Sequence, residues 1–304
     1  MPRYQFFTLD VFTDRVFAGN PLAVFPDAHG LTGEQMQAIA AEFNLSETTF
    51  VLPPEDPSCT ARVRIFTPRA EMPFAGHPTI GTAMCLAFID RVATHGPATT
   101  IVFEEGVGPV PVEIGVENGR ASFATLAVAT PPRLVEGELS VEPIAEMLSL
   151  SPDDLCDVDW RPAGATAGVP FLYVPVRSLD ALARARVDSA ALHRMHDKLP
   201  SPHIYVFTTA TEDSDVDIRS RMFAPTMGIE EDPATGAAAA ALPAYLVPRE
   251  PASDGMKTWR VRQGVEMGRP SDLTVDAEWT AGAITRVRVG GSAVTVSEGW
   301  LTVP

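Results

Sequence analysis

An α/β protein built from one unit used twice is what this chain of 304 residues predicts. Three observations predict it. Strand-like and helix-like segments alternate from end to end. Short motifs recur in the same order, displaced by about 150 residues, as in a repeat at domain scale. Two helix starts of the same make, "GHPTIGTA" and "EDPATGAA", stand at matching places in the two series. The domains expected are 1–128 and 129–304, with the C-terminal strand, about 294–304, as a candidate to join the first.

In the first half "YQFFTLDVFT" and "NPLAVFPD" read as strands. "LTGEQMQAIAAEFN" reads as a helix capped by Thr32, with Met36, Ile39, Ala40 and Phe43 on one face. "ETTFVLPP" and "ARVRIFTP" are strand-like, and a helix follows His77. "TTIVFEEGVGPVPVEIGVENGRASFATL" reads as strands broken at Gly and Asn-Gly turns. The Pro-rich stretch Ala129 to Gly137 is the candidate linker. Beyond it "SVEPIAEMLSL" is a helix, "GVPFLYVPV" a strand and "SLDALARARVDSAALHRMHDKL" helical. "HIYVFTT" and "DIRSRMFAP" are strands, the alanine helix begins at Asp232, and strands close the chain.

The echoes between halves are specific in order rather than individually. "GNPLAVF" matches "GVPFLYV", "TFVL" matches "IYVF", and "RIFTP" matches the end of "RSRMFAP". The helix starts place His77 opposite Asp232, Pro78 opposite Pro233 and Gly81 opposite Gly236, and "EEGVGPVPVEI" matches "RQGVEMGRPSDL".

The chain is 45% hydrophobic and 20% charged, enough apolar material for a substantial core. A formal net charge of −16 argues against nucleic acid or an anionic membrane as partner. It leaves room for an anionic small molecule, because local backbone dipoles can outweigh a remote field. The three cysteines, Cys59, Cys85 and Cys156, lack metal-ligand spacing and fit a reducing compartment. With no signal peptide and no apolar run of membrane-spanning length, a cytoplasmic protein is expected.

Pro is favoured at the first helical position, which places His77 and Asp232 at N-caps. The free N–H groups of a first helical turn suit a carboxylate, so Gly76, Pro78 and Thr79, with Thr235, Gly236 and Ala237, are candidate binding positions. If the halves pack as pseudo-twofold mates, both helix starts point into one cleft, a preferred ligand site. Asp is also among the best N-caps, so capping alone accounts for Asp232. His77 is a poorer cap and is less easily explained that way. The small residues Gly81-Thr82-Ala83 and Gly236-Ala237-Ala238 serve either a ligand or tight helix packing.

Glu47 has no acidic counterpart: aligning "TFVL" with "IYVF" sets it against Pro202. Between a helix end and a strand it is either a carboxylate aimed at a cleft or a solvated loop residue, Ser46's capping partner. Glu47, His77 and Asp232 form an acid/base set without a strong nucleophile, phosphate loop, dinucleotide fingerprint or zinc signature. His193 and His196, three apart without carboxylates, do not make a metal site. Proton transfer without a cofactor or metal remains.

"DVFT…FAGNPLAVF", "NLSETTFV", "RIFTPRAEMPFAGHPTIGTA" and "EDPATGAAAAAL" together resemble the phenazine-biosynthesis (PhzF-like) isomerases, from about residue 4 to the C-terminus. The resemblance implies the diaminopimelate epimerase-like fold: two pseudo-symmetric domains, each a curved mixed sheet wrapped around a central helix. It implies a cofactor-independent isomerase, of which the best-understood member moves a hydrogen within trans-2,3-dihydro-3-hydroxyanthranilate. The family's essential glutamate matches Glu47, and its active-site His and Asp match His77 and Asp232. In the epimerase branch those two places hold paired cysteines, so two-thiol racemisation does not apply here. The phenazine enzymes carry Ser where this chain has Ala237, a lost hydrogen bond worth roughly 0.5–1.5 kcal/mol, which points to another small carboxylate as substrate. An amino-acid or hydroxy-acid racemase or epimerase using Glu47 and His77 as opposed bases, and a carboxylate-binding module without turnover, are the alternatives. A homodimer is expected, since twofold dimers are the commonest oligomers.

Overall fold

A helix with no polar face must be covered all round, and the chain holds two, one in each of its compact units. The computed structural model describes residues 1–135, 137, 139–156 and 159–304. Its units are Met1–Ala127 with Gly290–Pro304, and Val128–Val289.

The first unit runs β1 (Arg3–Val11), β2 (Asn20–Phe25), α1 (Gly33–Phe43), β3 (Glu47–Leu52), β4 (Ala61–Phe66), β5 (Glu71–Met72), α2 (Gly76–Phe88), β6 (Ala98–Glu105), β7 (Gly108–Glu117) and β8 (Arg120–Ala127). The second runs β9 (Arg133–Val135), α3 (Val141–Met147), β10 (Ala163–Thr166), β11 (Pro170–Pro175), α4 (Leu179–Arg184), α5 (Ser189–Met195), β12 (Ile204–Thr208), β13 (Ile218–Ala224), β14 (Ile229–Asp232), α6 (Gly236–Leu246), β15 (Gly255–Gln263), β16 (Ser271–Thr280) and β17 (Ala283–Gly291). The last strand, β18 (Ala293–Thr302), returns to pair antiparallel with β1.

The repeat read from short motifs is a repeat of topology. In the first unit β2 and β3 are parallel, β3 and β4 antiparallel, β4 and β5 antiparallel, β4 and β6 parallel, and β6 and β7 antiparallel. In the second the same five relations link β11 to β12, β12 to β13, β13 to β14, β13 to β15, and β15 to β16. Mixed sheets with a buried helix in each unit are the α/β class that the alternating segments predict.

Residues 77–86 of α2 are all buried, as is most of α6. Small residues make this possible. A Cβ added to Gly81 would lie 2.5 Å from Leu22 and 2.6 Å from Val11, so Gly81 serves close helix–sheet packing. The opposite face of each sheet is covered too. Met36, Ile39 and Ala40 of α1 pack on Phe25, Phe50 and Phe66, and α3, α4 and α5 pack on Leu172, Val174, Ile204 and Val206. Each such aliphatic or aromatic side chain, fully buried, contributes roughly 1.5–3 kcal/mol. Thr32 caps α1 as expected, in a reciprocal box with Gln35. No helix among the described residues is long and apolar enough to cross a membrane.

Several expectations need correction. The helical stretch after Ser178 is broken into α4 and α5, because Asp188 accepts from the N–H groups of Ala190 and Ala191 and starts a new helix. The stretch 129–137 is not all linker: Arg133–Val135 pairs with β10, while Glu136 lies outside the described residues. Neither His77 nor Asp232 is an N-cap. Helix α2 begins at Gly76 after Ala75, which makes His77 its second residue, and α6 begins at Gly236 after Thr235. Pro78 lies within the first turn, whose N–H groups lack intrahelical acceptors so that Pro is tolerated at more than one place, and Pro233 lies before its helix altogether. The proline therefore marks the neighbourhood of the start and not its residue.

Candidate functional site

Glu47 is the first residue of β3, and strand alternation sets its side chain on the same face as Thr49. That face looks toward α2, since the Thr49 and Thr82 hydroxyls are hydrogen-bonded at 2.8 Å. The parallel register of Leu22 with Glu47 holds the strand end in place. As a result Glu47 Oε2 lies 3.1 Å from Nδ1 of His77. The two side chains are 15% and 5% exposed. The contact is at ion-pair distance but is not aligned as a hydrogen bond, and Glu47 Oε2 and His77 Nε2 are both buried without a hydrogen-bond partner. Buried polar atoms are nearly always paired, so two orphans on one acid/imidazole contact mark a place built for something other than stability.

His77 rides on the first turn of α2 with the candidate binding positions Gly76, Pro78 and Thr79. A Cβ on Gly76 would meet nothing within 4 Å, so the backbone there is open. The Thr79 hydroxyl is 2.7 Å from the Ala75 carbonyl and 2.7 Å from Glu105 Oε1. Burial pushes the Glu105 carboxyl up to about 8, against the smaller opposing effect of its hydrogen bond with Thr79. A depression of about 360 Å³ in the same unit is lined by Arg62, Arg64, Glu71, Glu104 and Glu105 among others. Neither Glu47 nor His77 lines it, and Arg64 and Arg62 are committed to Glu71 and Glu55, so the orphaned pair and not this depression is the candidate centre.

In the second unit Asp232 ends β14, three residues before the Thr235 N-cap. The Thr235 hydroxyl makes no capping bond; it donates to Asp232 Oδ2 at 2.5 Å. Gln263, fully buried, ties the segment together: its Nε2 donates to the Asp232 carbonyl at 2.7 Å and to Thr235 Oγ1 at 3.0 Å. Next to it Gly264 (φ +77) takes a conformation that favours glycine, and an added Cβ would lie 2.7 Å from the Pro233 carbonyl. Gly236 is buried and Ala237 half-buried at the start of α6.

The strand registers correct the counterpart of Glu47. Thr48 sits across from Ala23 and Phe66; Ile204 sits across from Leu172 and Phe223, the residues matching those two. Thr48 therefore corresponds to Ile204, and Glu47 to His203 rather than Pro202. His203 is occupied locally, with its ring near Phe171; burial lowers its pKa, partly offset by a bond to the Pro170 carbonyl. Glu47 thus has a counterpart in position but not in kind.

The expected residues assemble within each unit: Glu47 with the Gly76–Thr79 turn, and Asp232 with Thr235. Glu105 and Gln263 were missed as partners of these turns. The matched stretches "EEGVG" and "RQGVEMG" already set them opposite each other, but nothing in either stretch tells that both side chains reach back to a helix start. Among the described residues no group of three His, Cys, Asp or Glu side chains is placed to hold a metal ion.

Residues 9–299 match the family described as phenazine biosynthesis-like protein. An uncharacterized isomerase of Mesorhizobium japonicum is 40% identical, with all of both chains covered. The trans-2,3-dihydro-3-hydroxyanthranilate isomerase of Pseudomonas fluorescens is 35% identical over 99% of this chain and 100% of that protein. A PhzF-family phenazine biosynthesis protein of Bacillus anthracis superposes with a TM-score of 0.90 at 29% identity, covering 100% of each chain. A probable proline racemase of Agrobacterium radiobacter shares the fold, with a TM-score of 0.65 at 15% identity over 99% of this chain and 93% of that one.

Proposed function

We propose that this chain, which belongs to the phenazine biosynthesis-like family, is a cofactor-independent isomerase that moves a proton within a small unsaturated carboxylate. The observation that carries the reading is the buried contact of Glu47 with His77, 3.1 Å apart, with an orphaned atom on each side chain. Glu47 takes a proton from a carbon made acidic by conjugation and returns it at another carbon. A positioned general base of this kind is worth about 10²–10⁴-fold. His77, in contact with the acid, orients it and balances the charge that moves through it. The N–H groups of Gly76 and His77, which have no intrahelical acceptor in the first turn of α2, hold the substrate carboxylate, beside Pro78 and Thr79. In the second unit the matching turn, with Asp232 steadied by Thr235 and with Gly236 and Ala237 at the start of α6, is of the same make.

Relatives are named trans-2,3-dihydro-3-hydroxyanthranilate isomerase. Ala237 offers no hydroxyl where the family resemblance implies a serine, so a related carboxylate that does not need that bond is the expected substrate. Racemisation with Glu47 and His77 as opposed bases is disfavoured, because two bases already in contact leave no room for a carbon between them. The test is a panel of unsaturated and β,γ-conjugated carboxylates incubated with the enzyme in heavy water. Deuterium entering with migration of the double bond supports isomerisation. Exchange confined to one stereocentre supports a racemase, and tight binding without exchange a binding module.

A further inference from the structure

The Thr79 hydroxyl sits in a hydrogen-bond arrangement that plays no part in the proton shift itself. The hydroxyl has one hydrogen and two oxygen neighbours at 2.7 Å, the Ala75 carbonyl and Glu105 Oε1. A carbonyl can only accept and a carboxylate can only accept, so an ionised Glu105 would leave one of these close contacts without a proton. Apart from the Thr79 hydroxyl, the surroundings of Glu105 offer an anion no compensation. The residue is 6% exposed, and its Oε2 is buried with no hydrogen-bond partner. The charged groups near it are engaged elsewhere: Arg64 on β4 with Glu71 on β5, and Arg62 on β4 with Glu55. On its own strand Glu104 accepts from the N–H groups of Glu55 and Asp56. On α2, His77 is in contact with Glu47. Among the described residues no cation pairs with Glu105. In the second unit the matching position is Gln263, a neutral side chain that donates to Thr235 at 3.0 Å.

We propose that Glu105 is a positioning residue that works as a carboxylic acid. Its proton goes to Thr79 Oγ1, the Thr79 proton goes to the Ala75 carbonyl, and this relay fixes the first turn of α2 with His77 on it. Being neutral, it does so without setting a negative charge beside the N–H groups of Gly76 and His77. Gln263 does the same for the turn that carries Asp232, with an amide in place of the acid. Desolvation pushing the Glu105 carboxyl up to about 8 agrees with this state at neutral pH. When Glu105 ionises, the Thr79 hydroxyl must turn from Ala75 to the new carboxylate. A fixed negative charge then stands at the helix start and opposes an anionic substrate.

The protonation itself is independent of the function proposed above; its consequence for turnover rests on that reading. Two measurements keep them apart. The first is the infrared band of protonated carboxylic acids, followed from neutral to alkaline pH in the wild type, in Glu105→Gln and in Thr79→Val. The wild type is expected to show a band at neutral pH that bleaches around pH 8. Glu105→Gln should lack it, and Thr79→Val, which takes away the acceptor of the acid proton, should shift the pH at which it bleaches. A wild type without a bleaching band, or a band unchanged in Glu105→Gln, overturns the proposal, and the wild-type titration decides even if a variant fails to fold. The second is the pH profile of solvent-deuterium exchange on a turned-over carboxylate. Exchange should fall up to tenfold per pH unit above the ionisation of Glu105, Glu105→Gln should keep its activity and lose that alkaline limb, and Glu105→Leu should lose activity at all pH values. An alkaline limb that survives in Glu105→Gln overturns the role in turnover. Absence of exchange by the wild type on every substrate counts against the isomerase reading, while the infrared result still judges Glu105.

Discussion

Arg64 and Arg221 hold the same place in the two halves and predict very different costs of removal. Each lies on the strand after the parallel pair and makes a two-pronged ion pair with a glutamate on the next short strand, Arg64 with Glu71 and Arg221 with Glu231. Each guanidinium also stacks on a phenylalanine, Phe66 or Phe223, at 5.1 and 4.9 Å. Exposure separates them. The Arg64 and Glu71 side chains are 23% and 44% exposed, whereas Arg221 and Glu231 are 3% and 13% exposed. Arg221 also donates to the carbonyls of Leu182, Ala183 and Ala185 at the end of α4. Arg64→Ala therefore breaks a solvated pair, at a cost of about 0–1 kcal/mol. Arg221→Ala leaves a buried carboxylate and helix-end carbonyls without their partner, at about 3–5 kcal/mol. For a unit of this size each kcal/mol moves a melting temperature by roughly 2–4 °C. Thermal melts should show Arg221→Ala lower by roughly 6–20 °C and Arg64→Ala by less than about 4 °C. The double variant Arg221→Met with Glu231→Leu, which removes the stranded charge, should recover most of the loss. Equal shifts for the two alanine variants would refute the claim that burial, and not pairing geometry, sets the difference.

Two further outcomes follow from named contacts. Glu105 holds its proton more tightly folded than unfolded, so between about 4.5 and about 8 the folded state binds more protons and stability falls as pH rises. Glu105→Gln should match the wild type below that window and gain on it through the window. At about 1.4 kcal/mol per pH unit the gain reaches on the order of 5 kcal/mol, readable as urea midpoints at several pH values; a pH-independent difference would contradict it. Gly264→Ala should destabilise by roughly 1–3 kcal/mol, from left-handed strain and contact with the Pro233 carbonyl. It should also weaken substrate binding through Asp232; an unchanged melt and an unchanged KM would show that this approach does not matter.

What could be read beforehand depended on how local the cause was. The α1 cap at Thr32 and its buried face follow from spacing within one turn, and both are observed. The repeat was legible because five short echoes kept their order. The pairing of Glu47 with a counterpart slipped by one residue because "TFVL" and "IYVF" are uniformly apolar and do not pin a register; only the neighbouring strands do. Arg221 of "RSRMFAP" reads on paper like the more exposed Arg64 of "RVRIFTP", and its burial depends on α4, a distant segment. Glu105 shows the same limit. An acid beside a Gly-rich turn reads as a surface residue until the fold brings Thr79 and a dry environment against it.

The claim on which the functional account rests is that Glu47 carries the proton. The most direct test compares wild type and Glu47→Gln for deuterium uptake from heavy water into a turned-over carboxylate, with substrate binding measured alongside. The account predicts that the variant, which keeps shape and contact with His77 but cannot act as a base, still binds. It should lose exchange by about 10²–10⁴-fold. Exchange at the wild-type rate in Glu47→Gln would contradict the account.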